Sequence, residues 1–222
     1  MRQLYHTALS PFCRKIRLML GEKALEFELV GENPWDRKLD LFALSPAADL
    51  PILVEDDGFA LSGAYAISEY LEETYPGICL LGRNAAERAE VRRLVDWFDH
   101  KFDHEVTQNI LFEKAFKHYF GKGAPSSAAI RQGQQNLLYH LDYIGYLAGE
   151  RYFLAGDTLT LADLAAAAHL SAIDYTGDVP WNYNMNAHGW YALMKSRPSM
   201  RCILSERVPG VRPPAYYENP DF

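Results

Sequence analysis

Cysteine is scarce in this chain of 222 residues, and its three copies stand far apart. Cys13, Cys79 and Cys202 are odd in number and follow neither a disulfide framework nor a zinc-binding spacing. This pattern favours a reducing cytoplasm and predicts no metal site. Because a chain of this length buries a sufficient core without a disulfide or metal, a mini-protein scaffold is excluded.

Long apolar runs and an excess of positive charge are also missing. The longest apolar stretch, residues 159–173, is interrupted by Asp163 and His169, and the first residues lack the basic flank and apolar stretch of a signal peptide. We therefore expect neither a signal peptide nor a membrane span. Twenty-two Lys and Arg against 29 Asp and Glu give a net charge of −7, which repels phosphate backbones and anionic lipids. Nucleic-acid and membrane partners are disfavoured.

Strand and helix patterns alternate in the first third of the chain. Ser10 and Pro11 predict a helix start, because serine caps free helix amides and proline fits the first turn. The patterns predict strands at 2–6, 26–30, 51–54 and 59–61, and helices at 10–20, 35–44 and 64–74. The order βαβαββα predicts an α/β domain over residues 1–78.

Beyond residue 78 the sequence shows helical periodicity and no further strand pattern. It predicts an all-helical domain over residues 86–206, in which Thr160 and Asp163 form a capping pair at the start of one helix. Residues 209–222 contain four prolines and cannot form a helix. We therefore expect residues 207–222 to be an extended, proline-rich tail.

Four short motifs link the chain to a known family. They are SPFCRKIR at residues 10–17, LPIL at 50–53, the apolar positions of the helix at 66–71, and the segment 156–163. With them the chain resembles the glutathione transferase superfamily along nearly its whole length. The resemblance implies a thioredoxin-like domain followed by an all-α domain, a homodimer, and glutathione as the cofactor of an active member.

The resemblance also implies roles for individual residues. Ser10 stands where the family has a residue that stabilises the glutathione thiolate, and Cys13 lies one turn further on. Ser10 is equally explained as a helix cap and Cys13 as a small buried residue. A cis peptide bond between Leu50 and Pro51 is implied, and in the family its backbone pairs with glutathione; the fold itself needs the same turn.

Three positions depart from the family pattern. Gly63 and Ala64 stand where the family carries an acidic residue and a serine that bind the γ-glutamyl group. Asp49 stands where many members have a lysine near the glycyl carboxylate, and it would repel that carboxylate. We therefore expect glutathione to bind weakly or not at all.

Two further segments resemble the bacterial cell-division subgroup of the superfamily, whose members localise with the tubulin-like protein FtsZ. Trp35 and Asp36 belong to one segment, and Asp221 and Phe222 to the tail. The resemblance implies that these four residues bind FtsZ or other division proteins. Alternatively, Trp35 packs on its own domain, and the tail aromatics lie in a groove of their own chain.

The sequence therefore supports two main hypotheses for the function. The first is a non-catalytic binding protein of cell division with an altered glutathione site. The second is an active glutathione transferase or glutathione-dependent isomerase that acts on small electrophiles. Thiol chemistry at Cys13 is a third, weaker option.

Overall fold

A computed structural model describes residues 1–33, 35–36, 38–117 and 119–220 of the chain. The first part contains a four-stranded mixed sheet in the order β2-β1-β3-β4, with β1 parallel to β2 and antiparallel to β3. Its elements are β1 (Gln3–His6), α1 (Pro11–Glu22), β2 (Glu28–Gly31), α2 (Leu39–Leu44), β3 (Ile52–Val54), β4 (Ala60–Ser62) and α3 (Ala64–Thr74). The predicted βαβαββα order and α/β class are confirmed.

The second helix is shorter than predicted. We expected it over 35–44, but α2 covers only Leu39–Leu44, and Trp35 and Asp36 lie in a turn before it. Asn33 closes this turn: its carbonyl accepts from the Asp36 N–H (3.0 Å) and its Nδ2 donates to the Asp36 carboxylate (3.3 Å). Side-chain bonds of this kind compete with helix formation, so the helix starts later.

The second part of the described chain is helical. One run extends from residue 85 to 116 and alternates between α and π geometry, with α4 (Ala85–Asp96), a π-helix (Trp97–Thr107), α5 (Gln108–Leu111) and a second π-helix (Phe112–Phe116). It is followed by α6 (Ser127–Glu150), α7 (Leu161–Tyr175), α8 (Met185–Lys195), a 3₁₀ turn (Pro198–Met200) and α9 (Arg201–Leu204). The all-helical class is confirmed. Within the described ranges, none of these helices combines the length and apolar character that a bilayer crossing needs.

Helix α7 is the centre of the core. All of its residues are buried, and it begins with the predicted capping pair of Thr160 and Asp163. It packs against α1 of the thioredoxin-like part and against α4, so the two parts share one continuous apolar core.

Charged residues of α1 are buried at this junction. Lys15 forms an ion pair with Asp99 of the long helical run. Burial alone would raise the pKa of Asp99, but the Lys15 ammonium and His169 lower it. Buried charges are tolerated when they are paired, so this contact holds α1 against the helical part.

Arg14 forms a second set of buried contacts at this junction. Its Nη1 donates to Ser171 Oγ of α7 (2.9 Å) and to Tyr217 Oη of the tail (3.1 Å), while Nη2 contacts Glu206 (3.2 Å). Burial would raise the pKa of Glu206, but Arg14 and Arg17 lower it. One arginine therefore links the first helix, the central helix and the tail.

The tail is folded rather than simply extended. Val208 and Val211 form an isolated bridge, and the backbone then turns at residues 214–217 and 216–219. Tyr217 is fully buried against the ring of Tyr175, at a centroid distance of 5.1 Å. Up to residue 220 the tail therefore packs on its own chain, because Tyr217 supplies both an apolar ring and an acceptor for Arg14.

We expect the substitution Tyr217→Phe to lower the free energy of unfolding by about 1–2 kcal/mol, because Arg14 loses a buried hydrogen-bond acceptor. Urea denaturation checks this. Tyr146→Phe is the matched control, since Tyr146 is exposed and should change little. Equal stabilities of the two variants would contradict the anchoring role of Tyr217.

Candidate binding cleft

A cleft of about 510 Å³ lies between the two parts of the molecule. The N-terminal ends of α1 and α3 and the loop before β3 form one side, and the helical run from residue 103 to 116 forms the other. Its polar and small lining residues are Thr7, Ser10, Asp49, Gly63, Ala64, Asp103, Thr107 and Gln108, and its larger apolar ones include Phe12, Trp35, Leu50, Leu111, Phe112, Phe116 and Phe120. This size suits a small-molecule ligand.

Ser10 lies in the cleft at the start of α1. Its Oγ accepts a hydrogen bond from the backbone N–H of Cys13 (3.4 Å), as an N-cap does. The hydroxyl proton is not used in that bond and can be donated to a ligand. Ser10 is therefore a cap whose position also permits contact with a ligand in the cleft.

Cys13 is in the core and does not line the cleft. The Thr7 N–H approaches its sulfur (3.5 Å), and burial raises the pKa of the thiol despite the contact with Ser10. A thiol in this state is a poor nucleophile. The geometry therefore favours Cys13 as a small buried core residue over Cys13 as a catalytic thiol.

The start of α3 presents backbone rather than side chains to the cleft. Gly63 caps the helix without a side-chain hydrogen bond, and Ala64 follows as its first residue. The backbone at Gly63 has φ +90°, a conformation that costs other residues energy. A Cβ placed there would meet nothing within 4 Å. Space for an acidic side chain therefore exists, but the glycine suits the backbone better.

The loop before β3 has the geometry that the resemblance implied. The Leu50–Pro51 peptide bond is cis, and Leu50 and Asp49 line the cleft. The Pro51 carbonyl accepts from the Gly63 N–H (3.1 Å), which ties this loop to the start of α3. Ser62 does not replace the missing serine: it is outside the lining, and its Oγ accepts from Ser45 (3.1 Å).

Trp35 forms part of the cleft wall. It is half-buried and stacks on Tyr119, with ring centroids 4.4 Å apart and an interplanar angle of 4°. Phe116 and Phe120 surround it at 6.2 and 5.9 Å. We expected Trp35 either to bind a partner or to pack on its own domain. Its ring instead packs on an aromatic cluster of the helical part while staying partly exposed, and partner binding at Trp35 stays a prediction.

The other proposed partner-binding residues lie elsewhere. Asp36 is exposed on the turn beside Trp35. Asp221 and Phe222 are outside the described residues. Asp103, Thr107, Gln108 and Phe112 were missed from the sequence: they follow one another at near-helical spacing, which also fits an ordinary buried face.

The family comparisons agree with this architecture. A family profile described as "Glutathione S-transferase, N-terminal domain" matches residues 4–78. "FtsZ-localized protein A" of Caulobacter vibrioides is 47% identical over 100% of this chain and 98% of its own length. "Glutathione S-transferase 3" of Zea mays is 30% identical, covering 96% of this chain and 97% of its own. The crystal structure of a glutathione S-transferase from Rhodospirillum rubrum superimposes with a TM-score of 0.98, at 52% identity and complete coverage of both chains.

We expect iodoacetamide to modify Cys79 and Cys202 in the native protein and to leave Cys13 unmodified, because the first two thiols are exposed and the third is buried. Peptide mass spectrometry measures the three sites in one sample. Unfolding in urea should expose Cys13 to the reagent. Modification of native Cys13 as fast as Cys79 would support thiol chemistry at this position instead.

Proposed function

The chain belongs to the glutathione S-transferase family, and from that premise we propose that it is a binding protein of bacterial cell division that contacts FtsZ polymers. Its cleft is an altered glutathione site. The observation that carries the proposal is the 47% identity, over the whole chain, to a protein described as localised with FtsZ. The bare start of α3 supports the loss of the usual ligand.

The altered site has an energetic consequence. In the family, side chains at the positions of Gly63 and Ala64 hold the charged γ-glutamyl end of glutathione. Hydrogen bonds to charged groups contribute about 1.5–3 kcal/mol each. Their absence weakens binding by roughly two to four decades. The carboxylate of Asp49, at the position of a frequent lysine, adds repulsion at the other end of the tripeptide.

The alternative function is an active glutathione transferase. One observation favours it: Ser10 lines the cleft at the start of α1 with a proton available for a thiolate. The positive end of the helix dipole would assist such a thiolate. We rank this function second, because a thiolate must first be held by contacts that Gly63 and Ala64 do not supply.

We also infer that the protein acts in the cytoplasm as a homodimer. A second cavity of about 750 Å³ lies where α3 meets α4, and the exposed ring of Tyr65 is at its edge. Glu69 and Arg92 join the two helices there by a two-pronged ion pair (3.1 and 2.7 Å). A face with an exposed aromatic ring beside a concavity suits a second copy of the chain.

We expect calorimetry to show no saturable binding of glutathione at sub-millimolar concentrations in the wild-type protein. The double substitution Gly63→Glu with Ala64→Ser should restore measurable affinity, by about two to four decades, because both lost contacts return. Gly58→Glu is the matched control. Gly58 also has a positive φ (+87°) and open space around it, but it lies in the β3–β4 hairpin outside the cleft.

A sub-millimolar constant in the wild type that disappears in Ser10→Ala would overturn the proposal in favour of the transferase. Failure of the double variant to bind, with its fold intact, would show that the cleft differs from the family site in more than these two positions.

We expect the protein to cosediment with polymerised FtsZ at micromolar concentration. Asp36→Ala, and separately a variant lacking Asp221 and Phe222, should weaken this binding by about threefold to tenfold, the usual effect of losing an interface contact. Asp157→Ala is the control for loss of one exposed carboxylate. Absence of the wild-type protein from the FtsZ pellet would count decisively against the proposal.

A further inference from the structure

The charge of the cleft is entirely negative among its described lining residues. Asp49 and Asp103 line it, and none of the described residues that line it is a lysine, arginine or histidine. Neither carboxylate forms an ion pair with another described residue. Glutathione carries a net negative charge, so this lining is opposite to what that ligand requires.

Asp103 is only partly satisfied. Its Oδ2 accepts a hydrogen bond from Gln108 Nε2 (3.0 Å), while its Oδ1 is buried and has no hydrogen-bond partner in the described part of the chain. Because Oδ1 has no accessible surface, a ligand in the cleft can reach this carboxylate only at Oδ2, which lies on the exposed side and has acceptor capacity beyond the bond from Gln108. A positively charged donor in the cleft would use that capacity.

The apolar wall of the cleft also suits a cation. Among the described residues, five with aromatic rings line it: Phe12, Trp35, Phe112, Phe116 and Phe120. The faces of such rings attract ammonium and guanidinium groups. Two of these rings already attract an ammonium from outside the cleft: Nζ of Lys122, which does not line the cleft, lies 5.3 Å from the ring centroid of Phe112 and 5.8 Å from that of Phe120.

We propose that the cleft binds small organic cations, namely alkylammonium, arylammonium or guanidinium compounds with an apolar body. The charged head lies near Asp103 and Asp49, and the apolar body packs against Trp35 and the phenylalanine rings. The cleft volume of about 510 Å³ fits a ligand of this size. This inference rests on the proposed function, because it assigns a new ligand to a site that no longer holds glutathione.

The test is a series of three ligands with one body and different heads: phenylbutylamine, phenylbutanol and phenylbutyrate. Calorimetry at neutral pH should give the amine an affinity at least about tenfold above that of the alcohol, because a charge-assisted hydrogen bond replaces a neutral one. The carboxylate should bind most weakly. Quenching of tryptophan fluorescence provides an independent readout of binding.

Three substitutions locate the charge effect. Asp103→Asn should reduce amine affinity about tenfold and leave the alcohol unchanged. Asp49→Asn should give a smaller loss, about threefold, because the exposed carboxylate is screened by water. Asp96→Asn is the control for net charge: Asp96 lies on the same helical run, outside this cleft, and should change neither affinity.

Equal affinities for amine, alcohol and carboxylate would overturn the inference, as would an amine affinity unaffected by both Asp103→Asn and Asp49→Asn. If Asp103→Asn does not fold, the ligand series and Asp49→Asn decide the matter, because Asp49 is on an exposed loop. Glutathione is titrated separately. Tight glutathione binding would defeat the proposed function, whereas indifference to ligand charge would defeat only this inference.

Discussion

The arrangement of the first helix, the central helix and the tail depends on the buried guanidinium of Arg14. It lies one turn into α1 and bonds to Ser171 of the central helix, to Tyr217 of the tail and to Glu206. A buried charge is stable only while its partners remain, so the loss of one of these three contacts would destabilise the other two. Since Ser10 caps the same helix, the contacts of Arg14 also hold Ser10 in its place in the cleft.

This chain has the frame of the cleft, but two positions at the start of α3 offer no polar side chain to a ligand. The cis turn at Leu50, the helix cap at Ser10 and the start of α3 still surround a cleft. Glycine at position 63 adopts φ +90° without backbone strain, but it provides no side chain that could hold a ligand. At this position, local stability and ligand binding therefore place opposite demands on the sequence.

Local signals predicted most of the fold. Ser10 with Pro11 marked the start of α1, and Thr160 with Asp163 marked that of α7, because caps act within four residues. The stacking of Trp35 was not predictable, since its partner Tyr119 is remote in sequence. Of the cleft, the residues of the first part followed from family motifs. Those of the long helical run did not, because their spacing resembles any buried helix face.

The π-helix at Trp97–Thr107 has a consequence for how such clefts diverge. Each residue of an α-helix turns the chain by about 100°, whereas π geometry accommodates an additional residue within a turn. Loss of one residue there can be absorbed by a change from π to α geometry, which leaves the direction of Phe112 and Phe116 unchanged, whereas the same loss in an α segment would turn them by about 100°. Clefts of this kind can therefore differ in length at the π segment while their lining residues keep their places.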